Sequence, residues 1–546
     1  MASFHRLSLV LLTSCASLAL ASCDGASSVA SPGAGTIVFP TPTPAAPTPT
    51  PSPTATPTPT ANFAQTTQSG VTVTLDEQLA IFNAGTNNTL NGSAPLTGGI
   101  TPAGAAATAT PFNATSLNPT GSTFLVSTAF IGAVANANDT AFRDWTCSSS
   151  TLNFTTSASI PAANSCTGSL ARTAAAPAAT ACATGTTDAG TVNNYRICRL
   201  PAVVAGTLAL PRVDGVAYQI NGRVDVGVDL GISGAAAGGA AATLNIDPGV
   251  IVIANANDAA NDFLVVNRGS KMNAVGTAAA PIIFTSQQNL NAAGTSDSTQ
   301  GQWGGVILAG RAPIANCISG TNNAGGTSTT CEAVVEGTGN ALYGGAVAND
   351  SSGTVQYVQI RYSGIEITPG NELQGLTLGG TGSGTTIDHV QVHNSSDDGI
   401  EVFGGTTNMR YLAITGADDD GLDVDVGWRG FVQFLITAQK TIGATSDSFS
   451  MEIDSNGNED LLPRTFGRVS NFTFIQTSTA PAAIRLRGGA DFTFVNGIVK
   501  AVGPCINIVA GVDANGGKST IRPANAALQE EGPPVFNSIY LACNGA

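Results

Sequence analysis

His389 to Gly405 reads HVQVHNSSDDGIEVFGG, and Tyr411 to Gly427 reads YLAITGADDDGLDVDVG. The two stretches align without a gap at an offset of 22 residues. Val390 and Val392 are matched by Leu412 and Ile414, and Ser396-Asp-Asp-Gly-Ile-Glu-Val402 by Asp418-Asp-Asp-Gly-Leu-Asp-Val424. Val432 to Ile436 repeats the first strand once more. Val358-Gln-Ile360 and Gly364-Ile-Glu-Ile367 carry the pattern upstream, and Phe472-Thr-Phe474 and Phe492-Thr-Phe494 carry it downstream. A fixed period in the twenties marks stacked supersecondary units. The apolar runs are short, alternate, and show no helical period between them, so each unit is a coil of strands. The fold class expected is all-β, with a parallel β-helix as its main body.

Parallel stacking brings equivalent residues of neighbouring coils about 4.8 Å apart, so the offset predicts columns of side chains. Val390 falls under Leu412 and Val392 under Ile414, facing the core. Glu401 falls under Asp423, Asp397 and Asp398 under Asp419 and Asp420, and Asp425 shares the side of Asp423. Glu366 is expected at the Glu401 position one coil earlier, with Glu452 and Asp454 near Asp425 one coil later. Asp418 completes this acidic edge. Like charges directly opposite one another destabilise a sheet. A bound hard cation, arginine partners, raised pKa values or solvation must offset them. Carboxylates are the ligands that Ca²⁺ prefers, and Glu401, Asp420, Asp423 and Asp425 are the expected metal ligands. His389, Gln391 and His393 alternate with core valines and are expected as exposed polar residues. Trp303, Tyr357, Tyr362, Tyr411 and Trp428 are candidate sugar-contacting rings or packing residues.

The rest of the chain reads as export and display. His5 and Arg6, the apolar run to Leu20 and the small residues before Cys23 form a signal peptide over residues 1–22. Leu20-Ala-Ser-Cys23 resembles the lipobox of bacterial lipoproteins, which implies an acylated Cys23, palmitate among its chains, and a lasting membrane anchor. Residues 23–61 form the anchored start and a Pro/Thr-rich stalk. Its Pro40–Thr60 run is about 65 Å long at ~3.1 Å per residue. Residues 62–202 read as an irregular, disulfide-containing, β-rich region, with strands expected at Val71–Leu75 and Phe124–Ile131. The β-helix is expected over 203–546. Beyond Cys15 and Cys23, eight cysteines remain. They lie as near neighbours, Cys147 with Cys166, Cys182 with Cys198, and Cys317 with Cys331, leaving Cys505 and Cys543. An oxidising compartment allows four disulfides, among about a hundred connectivities.

The chain has 21 basic and 36 acidic residues. Loss of Arg6 with the signal peptide lowers the basic count by one. Such an acidic chain without a basic block is a poor partner for nucleic acid. No motif suggests a nucleotide or redox cofactor, and zinc-type Cys and His spacing is absent.

Arg268-Gly-Ser-Lys-Met-Asn-Ala-Val-Gly-Thr277, Pro281-Ile-Ile-Phe-Thr-Ser286 and Trp303-Gly-Gly305 resemble the start of right-handed parallel β-helix domains in uncharacterised Gram-negative surface lipoproteins. Two enzyme families of this architecture offer a more distant resemblance. Against polygalacturonase-like hydrolases, Asp398, Asp419 and Asp420 resemble the acid set and Arg485-Leu-Arg487 the basic strand, but the downstream histidine has no counterpart. Against pectate-lyase-like enzymes, Glu401, Asp423 and Asp425 resemble the Ca²⁺ cluster, with Arg485 or Arg487 as the implied base. The catalytic candidates are therefore Asp398, Asp419, Asp423, Arg485 and Arg487. The function expected is an envelope- or surface-displayed module that binds a polysaccharide or an envelope protein, with a Ca²⁺-stabilised acidic edge and its lipid in the outer membrane. The alternatives are a polysaccharide lyase or glycoside hydrolase on acidic polysaccharide, and an accessory lipoprotein of an outer-membrane uptake system.

Overall fold

A computed structural model describes residues 111–135, 139–149, 165–170 and 181–543, interrupted at 258–260, 323–324, 328–329, 369, 441–444, 446–447, 456–459, 478–481 and 510–519. It also gives the backbone of Thr66–Gln68 and Val71–Val73, an antiparallel pair. The signal peptide, Cys23 and the stalk lie outside the described residues.

The body is a parallel β-helix. Ten strands stack on its first face: Val203–Val204, Arg223–Val226, Phe263–Val266, Val306–Ala309, Leu376–Gly379, Ile400–Phe403, Leu422–Asp425, Met451–Ile453, Ile484–Leu486 and Ile506–Ile508. Each neighbouring pair is parallel. Early coils cover the other two faces with separate strands, such as Lys271–Val275 and Ile282–Ser286. Both pair with the single strand Gly353–Arg361, one with each half. From there on, one long bent strand per coil serves both faces. Stacking also reaches Tyr195–Arg199, which pairs in parallel with Val216–Gln219.

The stack is held by columns of apolar side chains inside it. Leu376, Ile400, Leu422, Met451, Ile484 and Ile506 lie one above another, all buried. Val390 pairs with Leu412, and Val392 with Ile414, in the register the 22-residue offset requires. Each such side chain contributes about 1.5–3 kcal/mol by burial. The long strands bend at one left-handed residue per coil: Tyr357, His389, Tyr411, Phe434, Asn471, Asn496 and Ser538. That conformation costs a non-glycine residue roughly 1–2 kcal/mol. Ring stacking offsets it in four coils, with centroids 4.3 Å apart for Tyr357–His389, 4.3 Å for His389–Tyr411 and 4.6 Å for Tyr411–Phe434. Where the rings end, asparagine takes the position, being the residue besides glycine that tolerates it best.

The strand expected at Phe124–Ile131 does not form. Residues 111–135 and 139–149 make a strap across the outside of the bent strands. Side-chain amides of the body bond the strap's backbone. Asn496 accepts from Phe112 N–H at 2.6 Å and donates to its carbonyl at 2.9 Å. Gln433 clamps Val126 in the same way at 2.9 and 2.8 Å, and Gln391 clamps Cys147 at 2.7 and 3.0 Å. Gln359 donates to Trp145 O, and Asn471 to Phe130 O and Gly132 O. Phe130, Phe142 and Trp145 cap the ring stack. These residues lie outside any strand, and the amides supply partners for their backbone groups.

Four disulfides close as Cys147–Cys166, Cys182–Cys198, Cys317–Cys331 and Cys505–Cys543, so the near-neighbour expectation holds. Cys317–Cys331 staples an insertion between Val306–Ala309 and Gly353–Arg361. Its hairpin, Ala333–Val334 with Leu342–Tyr343, packs a second apolar core against the outside of the first face.

Candidate functional site

Alternate residues of the first face point away from the core. The middle residue of each short strand forms one outward column: Ile307, Thr377, Glu401, Asp423, Glu452, Arg485 and Asn507. The pairing of Glu401 with Asp423 is the one expected from the repeat. Glu366 is not the preceding member; Thr377 is. The motif around Gly364 does not continue the face. It forms an antiparallel hairpin, Ile365–Thr368 with Asn371–Leu373, in which Glu366 is exposed. Glu452 stacks on Asp423, and its charge and that of Asp454 act on Asp425, so both lie near Asp425 one coil later as expected.

The acidic edge is buried. Asp397, Asp398, Glu401, Asp419, Asp420, Asp423, Asp425, Glu452 and Asp454 are each at most 5 % exposed, and only Asp418 among the repeat acids reaches solvent in part. The repeat itself forces the crowding. A Cβ at Gly399 would lie 2.2 Å from Ile414 Cγ2 and 2.8 Å from Gly421 O, so the glycine of Asp-Asp-Gly lets one coil close onto the next. The hairpin insertion covers the early end of the edge. Gln374 donates to Glu336 at 3.0 Å and to Asp397 at 3.3 Å, and Tyr343 stacks on Phe403.

Each aspartate is anchored through one oxygen. Asp398 Oδ1 accepts from Asp420 N–H at 2.8 Å, Asp423 Oδ1 from Val424 N–H at 2.6 Å and Asp425 Oδ1 from Val426 N–H at 2.6 Å, while Asp420 Oδ1 accepts from Phe449 N–H. Oδ2 of Asp398, Asp420 and Asp425, and both carboxylate oxygens of Glu401, are buried without a hydrogen-bond partner among the described residues. Burial, reinforced by the neighbouring carboxylates, pushes Asp397, Asp398, Glu401, Asp420, Asp423 and Asp425 well above the usual carboxylate range. Burial with the charge of Glu372 pushes Glu336 up to about 8.

Three groups of carboxylates bring ligand oxygens within 4.8 Å of one another: Asp397, Asp398 and Asp419; Asp398, Glu401 and Asp423; and Asp420, Asp423 and Glu452. Buried acidic clusters of this kind can bind a metal ion. Of the expected ligands, Glu401, Asp420 and Asp423 fall in these groups. Asp425 lies outside them, its pKa raised by burial and by the charge of Asp454. Sequence reasoning left Asp397, Asp398, Asp419 and Glu452 out of the ligand set, although the repeat placed the first three in register. Glu336 and Gln374 lie outside the repeat, and nothing in the sequence signalled them.

The basic candidates sit at the late end. Arg485 stacks on Glu452, with Nε 3.1 Å from Oε1. Arg487 Nε lies 2.9 Å from both Glu452 and Asp454. Although burial alone would lower it, the Asp454 and Glu452 carboxylates hold the Arg487 guanidinium more firmly protonated than usual. The catalytic candidates Asp398, Asp419, Asp423 and Arg485 are all buried.

One other expectation is corrected, and one pair of alternatives is decided. Gln391 and His393 point away from the core but are buried. Gln391 lies beneath the strap, and His393 Nδ1 bonds Thr415 Oγ1 at 2.8 Å. His389 is a member of the ring stack, largely covered by Trp145. The candidate sugar-contacting rings are packing residues. Trp303, Tyr362 and Trp428 are buried, and Tyr357 and Tyr411 are stacked on His389 under the strap.

Residues 225–530 match the family described as a pectate-lyase like beta helix domain, more than half of the chain. The chain belongs to this family. The matched span runs from the second strand of the first face to the last coils and contains the whole acidic edge of this pectate-lyase-like β-helix. Neither a curated protein nor a solved structure matches the chain.

Proposed function

We propose that this pectate-lyase-like β-helix is a lipoprotein, acylated at Cys23, that displays its helix on the cell envelope and binds carbohydrate, with Ca²⁺ lodged in the acidic edge. The observation that carries the cation reading is the set of buried, unpartnered oxygens on Asp398, Glu401, Asp420 and Asp425. A charged carboxylate away from water requires a cation, a donor or a proton. The all-oxygen donor set suits a hard divalent ion, and irregular, carboxylate-rich, protein-enclosed coordination suits Ca²⁺ better than Mg²⁺. Family membership supports a carbohydrate ligand by analogy of fold, and the long stacked flank suits an extended polymer.

A second reading is a polysaccharide lyase, favoured by the placement of Arg485 and Arg487 beside a carboxylate group fit for a cation. It demands an arginine that gives up its proton, and the field around Arg487 acts in the opposite direction. The binding reading therefore takes precedence. The test incubates the chain with acidic and neutral polysaccharides in the presence of Ca²⁺, following both retention on immobilised glycan and release of new chain ends. Retention without release supports the proposal. Chain-end release that vanishes in Asp423→Ala and Arg487→Ala replaces it with the lyase reading.

A further inference from the structure

The outward column is an internal comparison of how two stacked charges are made compatible. At its late end Arg485 lies directly over Glu452, with opposite charges in contact. One and two coils earlier the same positions hold Asp423 and Glu401, so three carboxylates follow one another with no basic side chain stacked between them. Among the described residues the one lysine pairing with a repeat acid, Lys440, is spent on Asp418 at 3.0 Å, to one side of the column. Among the described residues, nine buried carboxylates from Asp397 to Asp454 face two guanidiniums, those of Arg485 and Arg487, and both sit at the late end.

Glu401 provides an independent indication of a ligand. It is 1 % exposed, neither oxygen has a hydrogen-bond partner among the described residues, and it reaches within 4.8 Å of the ligand oxygens of Asp398 and Asp423. The backbone bonds to Asp398 and Asp420 fix one oxygen of each and leave the other without a partner. The three carboxylate groups also overlap. Asp398 belongs to the first and second, and Asp423 to the second and third.

We propose that the seam holds a row of three divalent cations, joined by Asp398 and Asp423 as bridging carboxylates, that staples consecutive coils together from Asp397 to Glu452, the last of which Arg485 and Arg487 also hold. This rests on the cation reading above and extends it from one ion to a shared row. Each bridging carboxylate serves two ions, whereas Glu401 belongs to one group alone. Loss of a bridge therefore removes more than one ion, and loss of a ligand confined to one group removes one.

The experiment uses the purified full chain, stripped with chelator and dialysed against buffered CaCl₂, with bound calcium measured by elemental analysis. Wild type is expected to hold three ions per chain. Asp423→Asn is expected to lose two, Glu401→Gln one, and Asp425→Asn, outside the three groups, none. One ion per chain, or equal losses in Asp423→Asn and Glu401→Gln, overturns the row and leaves the single-site reading standing. No calcium overturns both cation readings, while glycan retention still decides the binding role. A measurement on wild type alone guards against misfolded variants: Tb³⁺ and Nd³⁺ are loaded together into the stripped chain. Neighbouring ions sharing a carboxylate quench Tb³⁺ luminescence strongly, and luminescence unchanged by bound Nd³⁺ overturns the row.

Discussion

Replacing Gln391 by leucine tests whether side-chain amides hold the strap. Gln391 is fully buried. It accepts the Cys147 N–H at 2.7 Å and donates to the Cys147 carbonyl at 3.0 Å. Leucine has nearly the same volume, so the packing term is small and the loss is that of two hydrogen bonds. Cys147 is itself buried, so both of its backbone groups are left without a partner, at roughly 1–3 kcal/mol each. The sum, about 2–6 kcal/mol, falls on the strap rather than on the coils beneath it. It therefore appears as local opening more than as a lower melting temperature. Amide exchange read on peptides covering 141–149 should accelerate about 30-fold or more, since each 1.4 kcal/mol is roughly tenfold. Gln433→Leu removes the same pair of bonds from Val126, which is 41 % exposed and can turn to water. Its effect on residues 124–128 should stay within about 1 kcal/mol, or roughly fivefold. Exchange at 141–149 unchanged in Gln391→Leu, or equal acceleration in both variants, would refute the clamp.

Other outcomes follow from the buried charges. Without metal, carboxylates whose folded pKa is raised bind protons more tightly when folded, so stability declines as pH rises from the unfolded carboxylate value through the folded one. For Glu336, facing Glu372, Gln374 and Asp397, that window runs from about 4.3 to about 8. Chelated protein should accordingly melt at a higher temperature at pH 5 than at pH 8, with the order reversed by Ca²⁺, as followed by circular dichroism. Glu452→Gln takes the charge from beneath Arg485 and Arg487 and should cost about 3–5 kcal/mol in denaturant unfolding, as for a broken buried pair. His393, driven down to about 3 by burial and the charges of Arg361 and Lys440, should show imidazole NMR shifts that do not move between pH 8 and pH 5.

The stack and part of its register were legible because strand pairing obeys a period. Once His389–Gly405 and Tyr411–Gly427 are aligned, Glu401 must meet Asp423, and the apolar pairs must face inward. The surroundings of the acids were not legible, because they come from parts of the chain outside the period. The hairpin that bears Glu336, and the strap that buries Gln391, meet the coils only through tertiary packing. An outward residue of a repeat therefore reads as exposed in sequence although the fold covers it. Glu366 shows the opposite failure. Its strand matches the repeat in pattern but is diverted into a hairpin with Asn371–Leu373, and the pattern alone does not distinguish the two. The bend residues share no chemical type, since a tyrosine, a histidine, a phenylalanine and an asparagine serve the same turn, so their column has no motif.

The strap also determines how a tug would be borne. Phe112 docks at Asn496, Val126 at Gln433, residues 130–132 switch back to Asn471 and Asn496, and Trp145 and Cys147 reach Gln359 and Gln391. The chain thus enters at the late coils and travels against the winding of the helix before Tyr195–Arg199 begins the stack. A load applied ahead of residue 111 would meet these rungs one after another, each made by its own side-chain amide. The coils, whose many ladder bonds would have to shear together, feel little of it until the strap is spent. The Cys147–Cys166 crosslink stands behind the last rung as a covalent stop. Residues 111–135 and 139–149 are therefore the first part of the described fold that a pull from the N-terminal side would load, ahead of the ladder bonds of the stacked body.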